Sequence, residues 1–157
     1  MLEEKTIRGM NGEEFSYDEF LKIVKDLDEN GYSTYVGTDS QKFKDKVSMV
    51  SCVCLYRQSV GSKIFYIKEN MKKEIIPTLR SRILYEAYRS IEIALEMDRI
   101  IYGELIVHLD VGADAIKNKT ARFEKELQIL VRSQGFGCEI KPNSWASSSI
   151  ADRFTKS

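Results

Sequence analysis

What the chain lacks bounds it first. Nothing in the 157 residues approaches the run of about 18 uninterrupted apolar positions that a membrane helix requires. The opening stretch, MLEEKTIRGM, has no apolar core of the kind a secretory leader carries, so a cytoplasmic protein is expected and no membrane partner. With Cys52 and Cys54 on one strand, one more cysteine and one histidine are not expected to complete a tetrahedral zinc site. Cys52 and Cys54, two apart along a strand, point the same way, which is poor disulfide geometry, so they and Cys138 read as core thiols. With two prolines and nine glycines the chain is neither collagenous nor low in complexity. No serine-histidine-acid pattern and no G-x-x-x-x-G-K loop is present, which removes the usual serine hydrolases and P-loop enzymes. Net charge is zero, with 24 basic against 24 acidic residues, which argues against a surface that clings to nucleic acid everywhere.

What is present is a globular composition, 43% apolar and 31% charged, at a length that fits one compact unit. The charge is uneven. Residues 1–30 hold nine acidic side chains against four basic ones, a balance of −5, so the remainder carries +5. Ser16 and Glu19 form a capping-box pattern ahead of Phe20, Ile23, Val24 and Leu27, and Gly31 closes the predicted helix. Strands are predicted at Ser33 to Asp39, Val47 to Arg57 and Lys63 to Lys68, joined by short connections as an antiparallel meander. Pro77 suits the first turn of a long helix in which Leu79, Ile83, Ala87, Ile91, Ala94 and Leu95 keep a 3.6-residue period to about Met97. Leu105 to Leu109 reads as a strand covered on both faces. A helix over about 118–133, a strand over 136–140 and a short helix starting among Ser147, Ser148 and Ser149 complete the order βββαβαβα after an N-terminal helix. That order requires an α/β fold: a mixed sheet with helices on both faces.

Four carboxylates stand out in this frame. Asp39 ends the first strand, with Gly37 on its face, and Asp110 ends the buried strand, at the carboxyl edge where open α/β sheets place ligands. Each could instead be a turn residue. At about 100° per residue, Glu86 falls near −20° from Leu79, inside the apolar arc of its helix, so it needs a partner. Arg82 or Arg89 could serve, one turn away on either side. Asp152 could be the N3 acid of a capping box begun by Ser149, and His108 could be a satisfied core histidine. Together the four acids could converge beside the sheet, where divalent hard cations, Mg²⁺ or Mn²⁺, would offset their repulsion, and two such ions about 4 Å apart would support phosphodiester hydrolysis. Lys72, Lys73, Arg80, Lys117, Lys119, Arg122, Arg153 and Lys156 supply a basic set for a nucleic-acid partner.

Three motifs carry a resemblance: Tyr-Val-Gly-Thr-Asp-Ser-Gln at 35–41, His-Leu-Asp-Val-Gly at 108–112, and Lys-Pro-Asn-Ser-Trp-Ala-Ser-Ser-Ser-Ile-Ala-Asp-Arg-Phe-Thr-Lys at 141–156. Together they resemble the ribonuclease H-like YkuK family of bacterial proteins over about 31–156. The resemblance implies a ribonuclease H-like domain at 31–157 preceded by a helical extension at 1–30. It also implies that Asp39, Glu86, Asp110 and Asp152 occupy the superfamily's first-strand, helix, fourth-strand and final-helix acidic positions, with Asp114 a nearby substitute for the last. The expected activity is that of a metal-dependent nuclease or phosphodiesterase acting on RNA, an RNA:DNA hybrid or structured DNA by a two-metal route. The alternatives are a nucleic-acid- or protein-binding module without turnover and a hydrolase of small phosphate esters.

Overall fold

A computed structural model describes residues 1–114 and 118–155. The β-branched and aromatic runs of the first half form three long strands, β3 (Ser33–Phe43), β4 (Lys46–Arg57) and β5 (Gly61–Lys72). They pair antiparallel along their whole lengths, from Ser33 opposite Tyr56 to Phe43 opposite Lys46, and from Lys46 opposite Lys72 to Arg57 opposite Gly61. The predicted meander is therefore correct, and β3 and β5 run several residues further than their apolar cores suggested. Helix α2 (Leu79–Asp98) crosses to β6 (Leu105–Gly112), which lies parallel to β3, and α3 (Glu124–Ser133) crosses to β7 (Gly137–Lys141), parallel to β6.

Each sheet face is buried by different elements. On one, Val36, Val53, Leu55, Phe65 and Ile67 pack against α2, α3 and α1 (Tyr17–Glu29). On the other, Val50, Cys52 and Cys54 lie beneath the chain's last segment, a π-helical turn (Ala146–Ala151) followed by α4 (Asp152–Thr155). The helices thus cover both faces, as expected, and all three cysteines are free and buried. No helix among the described residues is long and apolar enough to cross a membrane.

Several boundaries differ from expectation, each for a local reason. The stretch read as a purely helical extension also contains two short strands, β1 (Ile7–Gly9) and β2 (Glu14–Phe15). They extend the sheet to the order β2-β1-β5-β4-β3-β6-β7, and at three and two residues they are too short to leave a periodic signal. Pro77 stands just before α2 rather than in its first turn, because Thr78 takes the cap and exchanges hydrogen bonds with Ser81. Leu79 and Leu95, assigned inward by period alone, are 36% and 43% exposed, while the helix also buries Ser90 and Met97 and, as expected, Glu86. Helix α3 starts at Glu124 after a 3₁₀ turn (Ala121–Phe123), later than 118. The last helix begins at Ala146, not at a serine, and its first residue has no side-chain cap of its own. The missing acceptor comes from across the sheet: His108 Nδ1 takes the Ala146 N–H at 3.0 Å. Ser149 is therefore no N-cap, and the capping-box reading of Asp152 falls.

Candidate functional site

The site is assembled in the carboxyl-terminal halves of β3 and β6, with Asp39 four residues before the end of β3 and Asp110 two before the end of β6, and Gly37 makes it possible. A Cβ at Gly37 would lie 2.5 Å from the Ser147 nitrogen and 2.7 Å from the Ala146 carbonyl carbon, so only glycine lets the π-helical turn lie directly on β3. His108 holds the start of that turn. It is buried, and burial lowers its pKa to about 4, so the imidazole stays neutral and Nδ1 remains an acceptor. Trp145 stacks edge-on against His108, with ring centroids 4.9 Å apart, and packs on Tyr35 at 4.8 Å. His108 is thus a satisfied core residue that anchors the segment carrying Ser148 and Asp152.

The four carboxylates come together at this anchor. Strand alternation puts Gly37 and Asp39 on the face of the π-helical turn, and Thr38 and Ser40 on the α2 face, where Thr38 bonds Ser90 at 2.7 Å and Ser40 donates to Glu86. Asp39 is 5% exposed and its carboxyl lies within hydrogen-bonding reach of both Asp110 and Asp152. Two carboxyl groups can share a hydrogen bond only if one is protonated. Accordingly burial, then the charges of Glu86 and Asp110, push the Asp39 pKa up to about 9. Glu86 reaches the same rim from the opposite face, 8% exposed; burial raises its pKa to about 8, against the opposing pull of the Ser40 hydroxyl and Arg82. Arg89, the other partner considered for Glu86, is engaged by Glu69 at 2.9 Å and by Glu92. Asp110 accepts from Ser148 Oγ at 2.9 Å and pairs with Lys141 Nζ at 3.2 Å. Asp114 lies on the exposed loop after β6.

Beside the acids opens a groove of about 360 Å³ whose polar lining includes Arg82, Glu86, Asp110, Lys119 and Lys141. Of the basic set expected from sequence, Lys119 lines this groove. Arg80 is paired with Glu126 at 3.0 Å, and Arg122 and Arg153 lie over the rings of Phe123 and Phe154. Lys72 and Lys73 lie at the far end of the meander, and Lys117 and Lys156 fall outside the described residues. Arg82 and Lys141 were not in the expected set. Arg82 was visible one turn before Glu86, but Lys141 had no sequence signal beyond its place before Pro142.

Among the described residues, no three His, Cys, Asp or Glu side chains are already disposed as a metal cage. The chemistry of the donors nevertheless suits a hard divalent cation. They are all oxygen, and Asp39 and Glu86 are carboxyls whose pKa values are raised first by burial and then by neighbouring carboxylates, repulsion that a cation would offset.

A family model described as ribonuclease H-like matches residues 16–156 of this chain. That span includes α1, which the motif resemblance had left outside. The chain is also similar to an uncharacterised protein, YkuK of Bacillus subtilis strain 168, at 29% identity over 146 residues, covering 81% of each. No solved structure gives a significant match.

Proposed function

Because this chain belongs to the ribonuclease H-like family, we propose that it is a metal-dependent phosphodiesterase acting on a nucleic acid: RNA, an RNA:DNA hybrid or structured DNA. The observation that carries this reading is the meeting of Asp39, Glu86, Asp110 and Asp152 at one rim of the sheet, beside a groove with cationic side chains. These four residues would hold Mg²⁺ or Mn²⁺, as one ion or two. Bound there, such ions supply polarisation of a phosphoryl oxygen and a water of lowered pKa.

The chain's own residues do the rest. Arg82, Lys119 and Lys141 offer cationic donors along the groove for non-bridging phosphate oxygens, so they would seat the backbone next to the acids. Ser148 fixes one oxygen of Asp110, and Ser40 fixes one oxygen of Glu86, which restricts both carboxylates to single orientations. Gly37 and His108 keep the segment bearing Asp152 seated on β3.

A second reading, a binding module without turnover, is favoured by the Lys141–Asp110 pair, in which a lysine already neutralises one of the acids. One experiment separates them. The protein is incubated with labelled single-stranded RNA, an RNA:DNA hybrid and a DNA hairpin, with Mn²⁺ or with EDTA. Hydrolysis that needs Mn²⁺ and is lost in Asp39→Asn and Asp110→Asn supports the enzyme. Binding without hydrolysis of any substrate supports the module.

A further inference from the structure

The end of the meander beyond Asp39 has a composition that the fold does not need. Lys42, Lys44, Lys46, Lys72 and Lys73 cluster there against Asp45 and Glu74, around Phe43, which is 46% exposed. Among the described residues none of these five lysines makes an ion pair. Two further features oppose local stability. Lys46 and Lys72 are direct cross-strand partners, an arrangement in which like charges repel. Lys44, in the two-residue turn between β3 and β4, has φ +48°, a left-handed conformation that glycine or asparagine adopts with less strain. Strain and repulsion kept at an exposed tip point to a ligand that compensates both, and five lysines at one tip, two of them in the same cross-strand row as an exposed aromatic ring, fit a polyanion with stacking bases.

The register connects this tip to the acids. Phe43, Lys46 and Lys72 form one row across β3, β4 and β5, and Asp39, Val50 and Lys68 form another. The rows are four residues apart on β3, so their side chains share a face at roughly 13 Å separation. That equals about four phosphates along one strand of a helical duplex, and fewer along an extended single strand.

We propose that this lysine-rich tip is a second nucleic-acid contact, which grips a single-stranded stretch running on from the carboxylate rim, its phosphates on the lysines and one base on Phe43. The proposal rests on the nucleic-acid reading above but not on hydrolysis. Its substrate consequence is a preference for targets with an unpaired segment a few nucleotides from the reacting phosphate.

The test is fluorescence anisotropy of labelled 12-nucleotide single-stranded RNA and DNA in EDTA across a salt series, with the whole protein. Lys42→Gln/Lys44→Asn/Lys46→Gln should weaken binding by about tenfold or more at low salt and reduce the slope of log affinity against log salt by about 2, at about 0.7 for each phosphate no longer neutralised. Phe43→Ala should weaken binding about tenfold with the slope unchanged, because the variant removes stacking and leaves the charge as it was. Lys44→Asn alone should keep or raise Tm while lowering affinity, which separates binding from folding. Lys22→Gln/Lys25→Gln on α1 controls for loss of surface charge away from the tip and should change little. Equal affinity in the tip triple variant and this control overturns the proposal, as does an unaltered salt slope in the triple variant. Binding of phosphatidylserine vesicles without binding of either oligonucleotide also overturns it, assigning the tip to a membrane surface. If oligonucleotides bind through the tip but Mn²⁺ brings no cleavage, the inference stands and the hydrolytic reading falls.

Discussion

Asp39→Asn should change how the metal-free protein responds to pH, in a direction the burial of Asp39 dictates. The ordinary carboxyl value of 3.8 is raised to about 9 in the folded protein. Between those values the folded chain holds a proton that the unfolded chain has released, so stability must fall as pH rises. The slope approaches about 1.4 kcal/mol per pH unit for one such group, or up to about 4 kcal/mol between pH 5 and pH 8. Asparagine does not titrate in this range, and its amide can donate to Asp110 or Asp152 as the protonated acid does. The variant should therefore lose this slope and gain on the wild type by up to about 4 kcal/mol over that interval. Glu86, raised from 4.5 to about 8, leaves a residual slope of the same sign in both proteins. Urea unfolding midpoints in EDTA at pH 5, 6, 7 and 8 measure this. Parallel curves for the two proteins, or a wild type that gains stability on the variant as pH rises, would refute the buried, proton-sharing arrangement of Asp39.

Further outcomes follow from the same geometry. Gly37→Ala should destabilise the protein by about 1–3 kcal/mol, since its Cβ meets backbone of the π-helical turn that cannot swing aside as a flexible side chain would; a Tm equal to wild type would contradict the close approach. If cleavage is found, Asp152→Asn should reduce the rate and higher Mn²⁺ should partly restore it, whereas Asp114→Asn should change little. The reverse pattern would move the fourth ligand to Asp114, and no effect in either would favour a three-carboxylate site.

Much of the architecture was legible along the chain because its causes are local. The capping box at Ser16, with Glu19 N–H to Ser16 Oγ at 3.1 Å, and the left-handed Gly31 that ends α1 act within a few residues. The three meander strands and the alternating α and β order follow from apolar runs and turn residues, whereas Asp39 and Asp110, read as ending their strands, lie inside them, four residues before the end of β3 and two before the end of β6. Glu86 was legible for a related reason: helical periodicity alone places it on the buried stripe of α2, where it needs a partner.

What tertiary structure decided are the contacts whose two halves lie far apart in the chain. The start of the last helix could not be read from Ser147–Ser149, because its first N–H is capped by His108, 38 residues earlier. The role of Gly37 depends on the backbone of Ala146 and Ser147 arriving above it, which no property of β3 announces. Lys141 and Ser148 became neighbours of Asp110 only through the parallel pairing of β7 with β6 and the folding of the π-helical turn over β3 and β6. Local patterns determine which segments are helix or strand and which faces they bury, because backbone period and side-chain polarity act over a few residues. The partners that burial forces on a polar side chain are set by chain crossings, and so Asp39 acquired its proton-sharing neighbours, Asp110 and Asp152, only when the sheet and its last helix closed around it.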